Sequence, residues 1–359
     1  MKTKIVFVLS LLLALMIGAC SGDEPIVEWD KTPYALDYGI LPEPSIAEDN
    51  SLTVEGVELG RMLFYEKIMS KDGSQACASC HLQEFAFSDT AQFSIGVRGL
   101  PGKMQAMAVF NMAWHQNEFF WNGRAHLLRD QSILPIQDEL EMDETLDNVI
   151  VKLSEIEDYR NQFIRAFGTD EITSERISLA LEQFMNSIVS VNSKYDKYLV
   201  GEVTLSESEE RGRKLFFTEY NKFFPEQSGA DCAHCHSGEN FENDLYMNNG
   251  LDNESNLKDG RFEVTGEPRD KGRFKVTTLR NIELTGPYMH DGRFKTLEEV
   301  IDHYNEGLEA SASLDPALEQ TRETGLMLTE QDKADLVSFL KTLTDESLAT
   351  NQAYSDPFK

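Results

Sequence analysis

Two copies of one short motif, Cys-x-x-Cys-His, constrain this chain more than any other feature. The first runs from Cys77 to His81 and the second from Cys232 to His236. Two thiols three residues apart can bond to the vinyl groups of a haem while the following imidazole binds its iron. We therefore expect two covalently attached haems c, with His81 and His236 as iron ligands. The attachment cysteines are Cys77 and Cys80 for the first haem and Cys232 and Cys235 for the second.

Zinc binding and thiol redox chemistry are the competing interpretations of Cys-x-x-Cys. A structural zinc site needs its two cysteine pairs within a few dozen residues, and these pairs are far apart in sequence. A thioredoxin-like pair needs a surrounding β-α-β pattern, which the sequence does not indicate. Four of the five cysteines lie in the two motifs, so none is left for a structural disulfide.

The N-terminus has the pattern of an export signal. Lys2 and Lys4 precede an apolar run from Ile5 to Ile17, which is too short to span a bilayer. The residues ending at Cys20 resemble a bacterial lipobox, which implies a signal peptide over residues 1–19 and lipidation of Cys20, whereas a plain secreted protein is the alternative. We expect a lipid-anchored protein on the periplasmic or cell-surface side of a bacterial membrane.

The chain is strongly acidic, with a formal net charge of -29. A field of this sign disfavours nucleic acid and would steer a basic partner, such as a small electron-carrying cytochrome. A well-solvated surface without a partner is the simpler explanation.

The length of 359 residues suits two domains with one haem each. Residues 20–50 are rich in proline and acidic residues, as expected for a tether. We predict a first haem domain over residues 51–200, a second over 201–346 and a polar tail over 347–359. The sequence Gly60-Arg-Met-Leu-Phe64 before the first motif is echoed by Gly212-Arg-Lys-Leu-Phe216 before the second, which indicates an internal duplication.

Helical signals dominate both halves, and strand signals are few and short. Apolar spacing predicts a helix over Val54–Tyr65, and a long one from Ile177 to Val191 that closes the first domain near Tyr198. Capping boxes open helices at Ser206 and Thr296, and a final amphipathic helix follows Thr329. The expected fold is mainly α, with two tandem cytochrome c-like haem domains.

Further motifs resemble one family closely. They are Phe120–Ala125, Gln131, Pro135–Gln137 and Glu141–Met142 in the first half, and Gly260–Phe262, Leu279–Asn281 and Leu284–Gly292 in the second. In this order they resemble the bacterial di-haem cytochrome c peroxidases and the related MauG-type enzymes, and the likeness extends from about Gly60 to Leu343.

The resemblance assigns catalytic roles in the first half. It makes the first haem the peroxide site, with Glu141 as distal glutamate and Gln131 as distal glutamine. Splitting an O–O bond requires a proton to move from one oxygen to the other, and a nearby carboxylate can carry it. Trp121 matches the tryptophan between the two haems, where an indole shortens the electron's path; ordinary packing is the default role of such a residue.

A calcium ion is also implied, through backbone oxygens of Thr285 and Pro287. The third calcium ligand of the family is an asparagine, and the matching residue here is Gln105. The direct coordination of the ion is therefore expected to differ from the family pattern. The resemblance also allows a homodimer.

Two departures from the family's better-known members bear on mechanism. The loop that often carries a displaceable histidine reads Ser94-Ile-Gly-Val-Arg-Gly99, without histidine, which predicts an open first haem that needs no prior reduction. Tyr304 replaces the methionine ligand of the second haem, as in MauG-type enzymes, which implies a low potential. His303, Met289 and Met327 are the alternative ligands, in which case Tyr304 would be an ordinary core tyrosine. His290 is expected near a propionate.

The leading expectation is a di-haem peroxidase that reduces hydrogen peroxide to water with electrons from a cytochrome c or a similar donor. A MauG-like oxidase that uses peroxide to oxidise a protein or organic substrate is the second candidate. A non-catalytic di-haem electron carrier is the third, and it would require both irons to be six-coordinate.

Overall fold

The computed structural model describes residues 27–359. The predicted signal peptide, the predicted lipidation site at Cys20 and the first part of the predicted tether lie outside these residues. Within the described range, no helix is both long and apolar enough to cross a membrane.

The described chain is mainly helical, as predicted. Its α-helices are α1 (Val54–Tyr65), α2 (Leu128–Gln137), α3 (Leu146–Ser154), α4 (Glu157–Phe167), α5 (Ser174–Ser187), α6 (Lys194–Leu199), α7 (Glu207–Phe217), α8 (Phe262–Thr265), α9 (Leu297–Glu306), α10 (Pro316–Thr324) and α11 (Glu330–Lys341). Two short strands, β1 (Tyr246–Met247) and β2 (Phe274–Lys275), pair antiparallel. Each haem motif begins in a single 3₁₀ turn, at Cys77–Ser79 and at Cys232–His234.

The first half is built on a close crossing of α1 and α5. Thr53 caps α1 by accepting a hydrogen bond from a backbone N–H of its first turn. Gly60 faces the carbonyl oxygen of Ala180 on α5, and a Cβ at this position would collide with that oxygen. The close approach buries Phe64, whose ring centroid lies 6.3 Å from that of His81. The crossing therefore forms the floor beneath the first haem motif.

The second half repeats this arrangement with α7 and α11. Ser206 and Glu209 form the predicted capping box at the start of α7. Gly212 faces the carbonyl oxygen of Asp335 on α11, where a Cβ would again collide. Phe216 is fully buried and lines the cavity beside the second motif. The duplicated pentapeptide is thus a duplicated packing unit.

The junction between the halves differs from the sequence-based expectation. The helix expected from Ile177 to Val191 ends at Ser187, and an extended backbone at Ile188 leads to α6. Ser193 and Asp196 form a capping box that starts α6 anew. Tyr195 on α6 packs in the second core, so the chain passes from the first core to the second before α6, ahead of the predicted boundary at residue 201.

The predicted polar tail is instead part of the first core. Leu348 and Tyr354 are both buried there, and the hydroxyl of Tyr65 donates to the backbone oxygen of Tyr354 at 2.7 Å. Two buried apolar residues among polar ones form no periodic pattern, so this packing could not be predicted from local sequence. The chain end therefore crosses back from the second half to the first.

The described part of the predicted tether also packs on the body. Leu41 is buried, the indole N–H of Trp29 donates to Ala166 O at 3.2 Å, and Ser45 N donates to Ala113 O at 2.9 Å. The expectation of a free tether is therefore wrong for residues 27–50.

Candidate haem centres and active site

A cavity of about 390 Å³ opens beside the first haem motif. Its wall contains Cys80 and His81 of the motif, while Cys77 packs against the first core. The wall also brings together the residues that the resemblance singles out: Gln105, Trp121, Gln131, Glu141, Thr285 and Pro287. Residues from both halves of the chain thus meet at one cavity.

Both motif histidines are oriented as iron ligands. The Nδ1 atom of His81 lies 3.1 Å from Phe87 O, and that of His236 lies 3.2 Å from Phe241 O and 3.1 Å from Thr277 O. Because a carbonyl oxygen only accepts, Nδ1 carries the proton and the lone pair is on Nε2. Burial lowers the pKa of His81, and lowers that of His236 to about 4, so both rings are neutral. These features fit haem iron.

Glu141 lies in the tight turn that follows α2. Its backbone N–H donates to Asp138 O at 3.0 Å, which bends the chain so that the carboxyl faces the cavity wall shared with His81. Burial, with a smaller contribution from the negative charge of Asp138, raises the pKa of Glu141 to about 7 against the opposing effect of Arg124. The carboxyl is therefore able to gain and lose a proton near neutral pH.

The histidine-free loop over residues 94–99 holds this turn in place. Val97 N donates to Glu141 O at 2.8 Å, and Gly96 lies so close to the Leu140 carbonyl that a Cβ would collide with it. In the described wall of the first cavity the other histidine is His115, whose Nδ1 atom lies 3.3 Å from Asp244 Oδ1. Methionines at positions 104, 107, 112 and 289 also line this cavity.

Trp121 lies between the two cavities and lines both. Its indole N–H donates to Gln105 O at 2.8 Å, and its own backbone oxygen accepts from Lys275 N at 2.8 Å. Lys275 on β2 also lines both cavities. Trp121 is thus held through its indole by the first half of the chain and through its backbone by the second half.

A second cavity, of about 230 Å³, lies beside Cys232, Cys235 and His236. Tyr304 on α9 lines it, as does Met289. Burial raises the pKa of Tyr304 to about 12, while a hydrogen bond from Asn249 lowers it.

Two of the other proposed ligands of the second haem are less well placed. The Nε2 atom of His303 lies 3.0 Å from Asn249 O, so this ring nitrogen is already bonded. Met327 is 42% exposed. His290 does line the second cavity, stacked on Phe274 at 3.6 Å between ring centroids, and its buried Nε2 atom has no hydrogen-bond partner among the described residues. A buried ring nitrogen without a protein partner is able to bond to an acidic group of a bound haem.

The residues implied for calcium line the first cavity, close to the junction of the halves. Gln105 is buried, and its amide nitrogen donates to Ser88 Oγ at 3.1 Å and to Asp89 O at 3.4 Å. Only its amide oxygen is thus left as a metal donor, beside the backbone oxygens of Thr285 and Pro287.

A cluster of charged and polar contacts around Asp244, here called the interdomain clasp, joins the two halves and was not predicted from the sequence. Asp244 accepts hydrogen bonds from Gln116 N at 2.6 Å and Asn117 N at 2.7 Å, and it also pairs with His115 and Lys275. These contacts hold the segment that leads to Trp121. The partners lie up to 129 residues apart, so no local pattern could have indicated them.

With this geometry in hand, comparison with known proteins identifies the family. A family model for di-haem cytochrome c peroxidase matches residues 54–204. The cytochrome c551 peroxidase of Nitrosomonas europaea is 32% identical over 339 residues, which cover 93% of this chain and 90% of that protein. The chain belongs to the di-haem cytochrome c peroxidase family.

MauG proteins are equally similar members of this family. The methylamine utilization protein MauG of Methylorubrum extorquens is 33% identical over 311 residues, which cover 86% of this chain and 83% of MauG. The crystal structure of a MauG-like protein associated with microbial copper homeostasis has a TM-score of 0.80 and 35% identity, and covers 89% of this chain and 97% of that one. Membership confirms the predicted family, the mainly helical fold and haem c as the cofactor type.

Proposed function

We propose that this protein is a di-haem peroxidase that reduces hydrogen peroxide to water with electrons from a cytochrome c or a similar small donor. The observation that carries the proposal is Glu141: a carboxyl with a pKa near neutrality in the same cavity wall as His81. A plain electron carrier has no use for such a group beside its iron.

When bound, haem supplies the iron that binds peroxide and the redox centres that deliver electrons. The chain's own residues supply the proton movements. The Glu141 carboxylate accepts the proton of one peroxide oxygen and returns it to the other, which then leaves as water. Gln131, from α2 on the same wall, orients the peroxide by its amide. Two electrons and two further protons complete the conversion of one peroxide into two waters.

Spectroscopy of the ferric protein as isolated tests this function directly. We expect a high-spin signal from the first haem that reacts with peroxide at once, because the 94–99 loop has no histidine to cover the iron. Turnover should then follow with a reduced cytochrome c. Two low-spin haems that stay inert until reduced would overturn the open-site proposal.

A MauG-like oxidase is the second candidate, and Tyr304 in the wall of the second cavity is the observation that favours it. A phenolate ligand stabilises ferric and more oxidised iron, which suits the storage of oxidising equivalents for an external substrate. Consumption of peroxide without any reduced cytochrome, with the two electrons and two protons supplied by oxidation of an added protein or phenol, would favour this second function.

Calcium at the junction of the halves is also proposed, bound by the backbone oxygens of Thr285 and Pro287 and the amide oxygen of Gln105. Metal analysis of the purified protein checks it. A calcium content below one ion per chain after dialysis against calcium-containing buffer would contradict this site.

We further propose export and lipidation at Cys20, with the protein held on the periplasmic or cell-surface side of a membrane. The apolar run ending at Ile17 and the lipobox-like residues before Cys20 support it. Mass spectrometry of the mature N-terminus, and loss of membrane fractionation in Cys20→Ser, provide the test. A homodimer is proposed only by family resemblance, and light scattering measures it.

A further inference from the structure

Tyr304 is not alone at its position in the second cavity. The side-chain amide nitrogen of Asn249 lies 3.4 Å from Tyr304 Oη and 3.3 Å from Met289 Sδ. All three residues line the second cavity. One amide, with two N–H donors, therefore contacts two side chains there that can donate to iron, a phenol oxygen and a thioether sulfur.

Asn249 is held firmly against the helix that carries Tyr304. Its backbone oxygen accepts a hydrogen bond from Nε2 of His303 at 3.0 Å, and His303 precedes Tyr304 on α9. The chain on either side is also fixed, because buried Asn248 donates to Ser313 Oγ at 2.9 Å and Gly250 O accepts from Glu309 N at 2.8 Å. A side chain on so rigid a support can act as a defined donor to the phenol oxygen.

We propose that Asn249 is a positioning residue that sets the donor strength of Tyr304 towards the second haem. A hydrogen bond to a phenolate draws electron density from its oxygen, so the phenolate becomes a weaker donor to ferric iron. Ferric iron is then less strongly favoured, and the potential of the second haem is higher than a bare tyrosine ligand would give. This inference rests on the proposed role of Tyr304 as ligand.

The Asn249 amide also explains the position of the Met289 side chain. Its sulfur is a weak acceptor, and the contact with Asn249 keeps it beside the phenol. Met289 has a backbone φ of 74°, a conformation that costs energy for a non-glycine residue and persists only where the surroundings impose it. In this arrangement Tyr304 is the ligand and Met289 fills the space next to it.

Asn249→Leu in the haem-loaded protein is the decisive variant, because leucine is similar in size and has no donor. We expect the second haem's potential to fall enough to change the ferric to ferrous ratio at least tenfold at fixed ambient potential, which is about 59 mV for one electron. The tyrosinate-to-iron charge-transfer band should persist and move to longer wavelength. Haem content and far-UV circular dichroism establish that the variant folds.

Asn243→Leu is the matched control. Its amide nitrogen lies 3.8 Å from Sδ of Met247, which lines the same cavity, and the hydrogen bonds of the Asn243 side chain in the described structure do not include Tyr304. We expect the potential and the band to stay as in the parent protein. A fall of the same size in Asn243→Leu would mean that any lost amide nearby produces it, and the specific role of Asn249 would be wrong.

Further outcomes separate this inference from the ligand assignment. If Tyr304→Phe leaves the ferric spectrum of the second haem unchanged, Tyr304 is not the ligand and the proposal loses its basis. If Tyr304→Phe changes that spectrum and Asn249→Leu leaves both band and potential unaltered, the ligand stands and the role of Asn249 is refuted. A third outcome is that Asn249→Leu raises the potential of the second haem and abolishes the tyrosinate-to-iron band, and that adding Met289→Leu reverses both changes. Met289 would then have replaced Tyr304 as ligand, so Asn249 would select the ligand. That result would also overturn the proposal that Asn249 tunes the donor strength of Tyr304.

Discussion

The two halves of this molecule share a scaffold and differ in what faces the haem. In each, a capped helix with a glycine at its crossing, Gly60 or Gly212, packs tightly on a partner helix and buries a phenylalanine beside the Cys-x-x-Cys-His motif. In each, the motif histidine donates Nδ1–H to a backbone carbonyl. The duplicated elements therefore attach a haem and present one histidine, and nothing in them distinguishes a catalyst from a carrier.

The difference comes from segments that the duplication does not share. The first cavity receives Glu141 from a turn after α2, braced by the 94–99 loop, while the second receives Tyr304 from α9. A titratable carboxyl suits proton transfer to a bound peroxide, and a buried phenol suits a lasting iron ligand. In the proposed function, the first half therefore carries out the reaction with peroxide and the second half stores oxidising equivalents, on the same helical scaffold.

Replacing the carboxyl group of Glu141 should produce the largest change in the reaction that we assign to the first half. We expect Glu141→Gln to lower peroxide turnover by about 10²–10⁴-fold, the usual contribution of general acid-base catalysis, while both haems stay attached. Steady-state kinetics with a reduced cytochrome c measures it. Glu139→Gln is the control, since the Glu139 side chain is 72% exposed and pairs with Arg98 at the surface. Equal losses in both variants would contradict a special role for Glu141.

The C-terminal segment should stabilise the first half of the molecule more than the second, because it packs in the first core. Tyr354 is buried in the first core, where its ring packs edge-on against Phe87. Tyr354→Ala should destabilise the first half by about 3–5 kcal/mol, as for other large aromatic truncations, and perturb the spectrum of the first haem before the second on heating. Phe358→Ala, at a 55% exposed position, should stay within about 0.5 kcal/mol of the parent protein. Simultaneous loss of both haem signals in Tyr354→Ala would show that the chain end supports both halves alike.

Trp121 tests the connection between the halves. Trp121→Phe keeps an aromatic ring and loses the N–H that donates to Gln105 O. We expect electron transfer between the haems to slow by roughly tenfold, the scale of one lost hydrogen bond in the barrier. Stopped-flow spectroscopy should show the first haem reacting with peroxide at the parent rate while the response of the second is delayed. Unchanged kinetics at both haems would leave Trp121 a packing residue.

Local patterns were sufficient to predict the duplicated scaffold. The helix Val54–Tyr65 has the predicted bounds, and the boxes at Ser206 and Thr296 cap α7 and α9, because caps and periodicity act within a few residues. The resemblance likewise selected side chains that share cavities in the structure, Glu141 with His81 and Tyr304 with His236.

Features that depend on distant contacts could not be read in the same way. The return of Leu348 and Tyr354 to the first core, and the clasp around Asp244, each join residues more than a hundred positions apart. Asn249 belongs to no motif, and its contact with Tyr304 joins residues 55 positions apart in sequence. In these places tertiary packing decided the structure, and single residues carried no local sign of it.

The smallest effect concerns the charges around Glu141, and it tests why the first cavity suits proton transfer. Because the carboxylate must accept a proton, turnover should rise with pH through the pKa of Glu141, which burial places at about 7. Asp138→Asn removes a negative charge that raises this pKa, and an asparagine oxygen can still accept from Leu140 N as Asp138 Oδ1 does at 2.8 Å. The midpoint of the pH profile should therefore move to lower pH.

Arg124→Gln removes the positive charge that lowers the pKa of Glu141, so the midpoint for this variant should move to higher pH. We expect each of the two shifts to be no more than about one pH unit. If both midpoints moved in the same direction, a group other than Glu141 would govern the pH profile. The charges around Glu141 would then not explain why the first cavity, unlike the second, suits proton transfer.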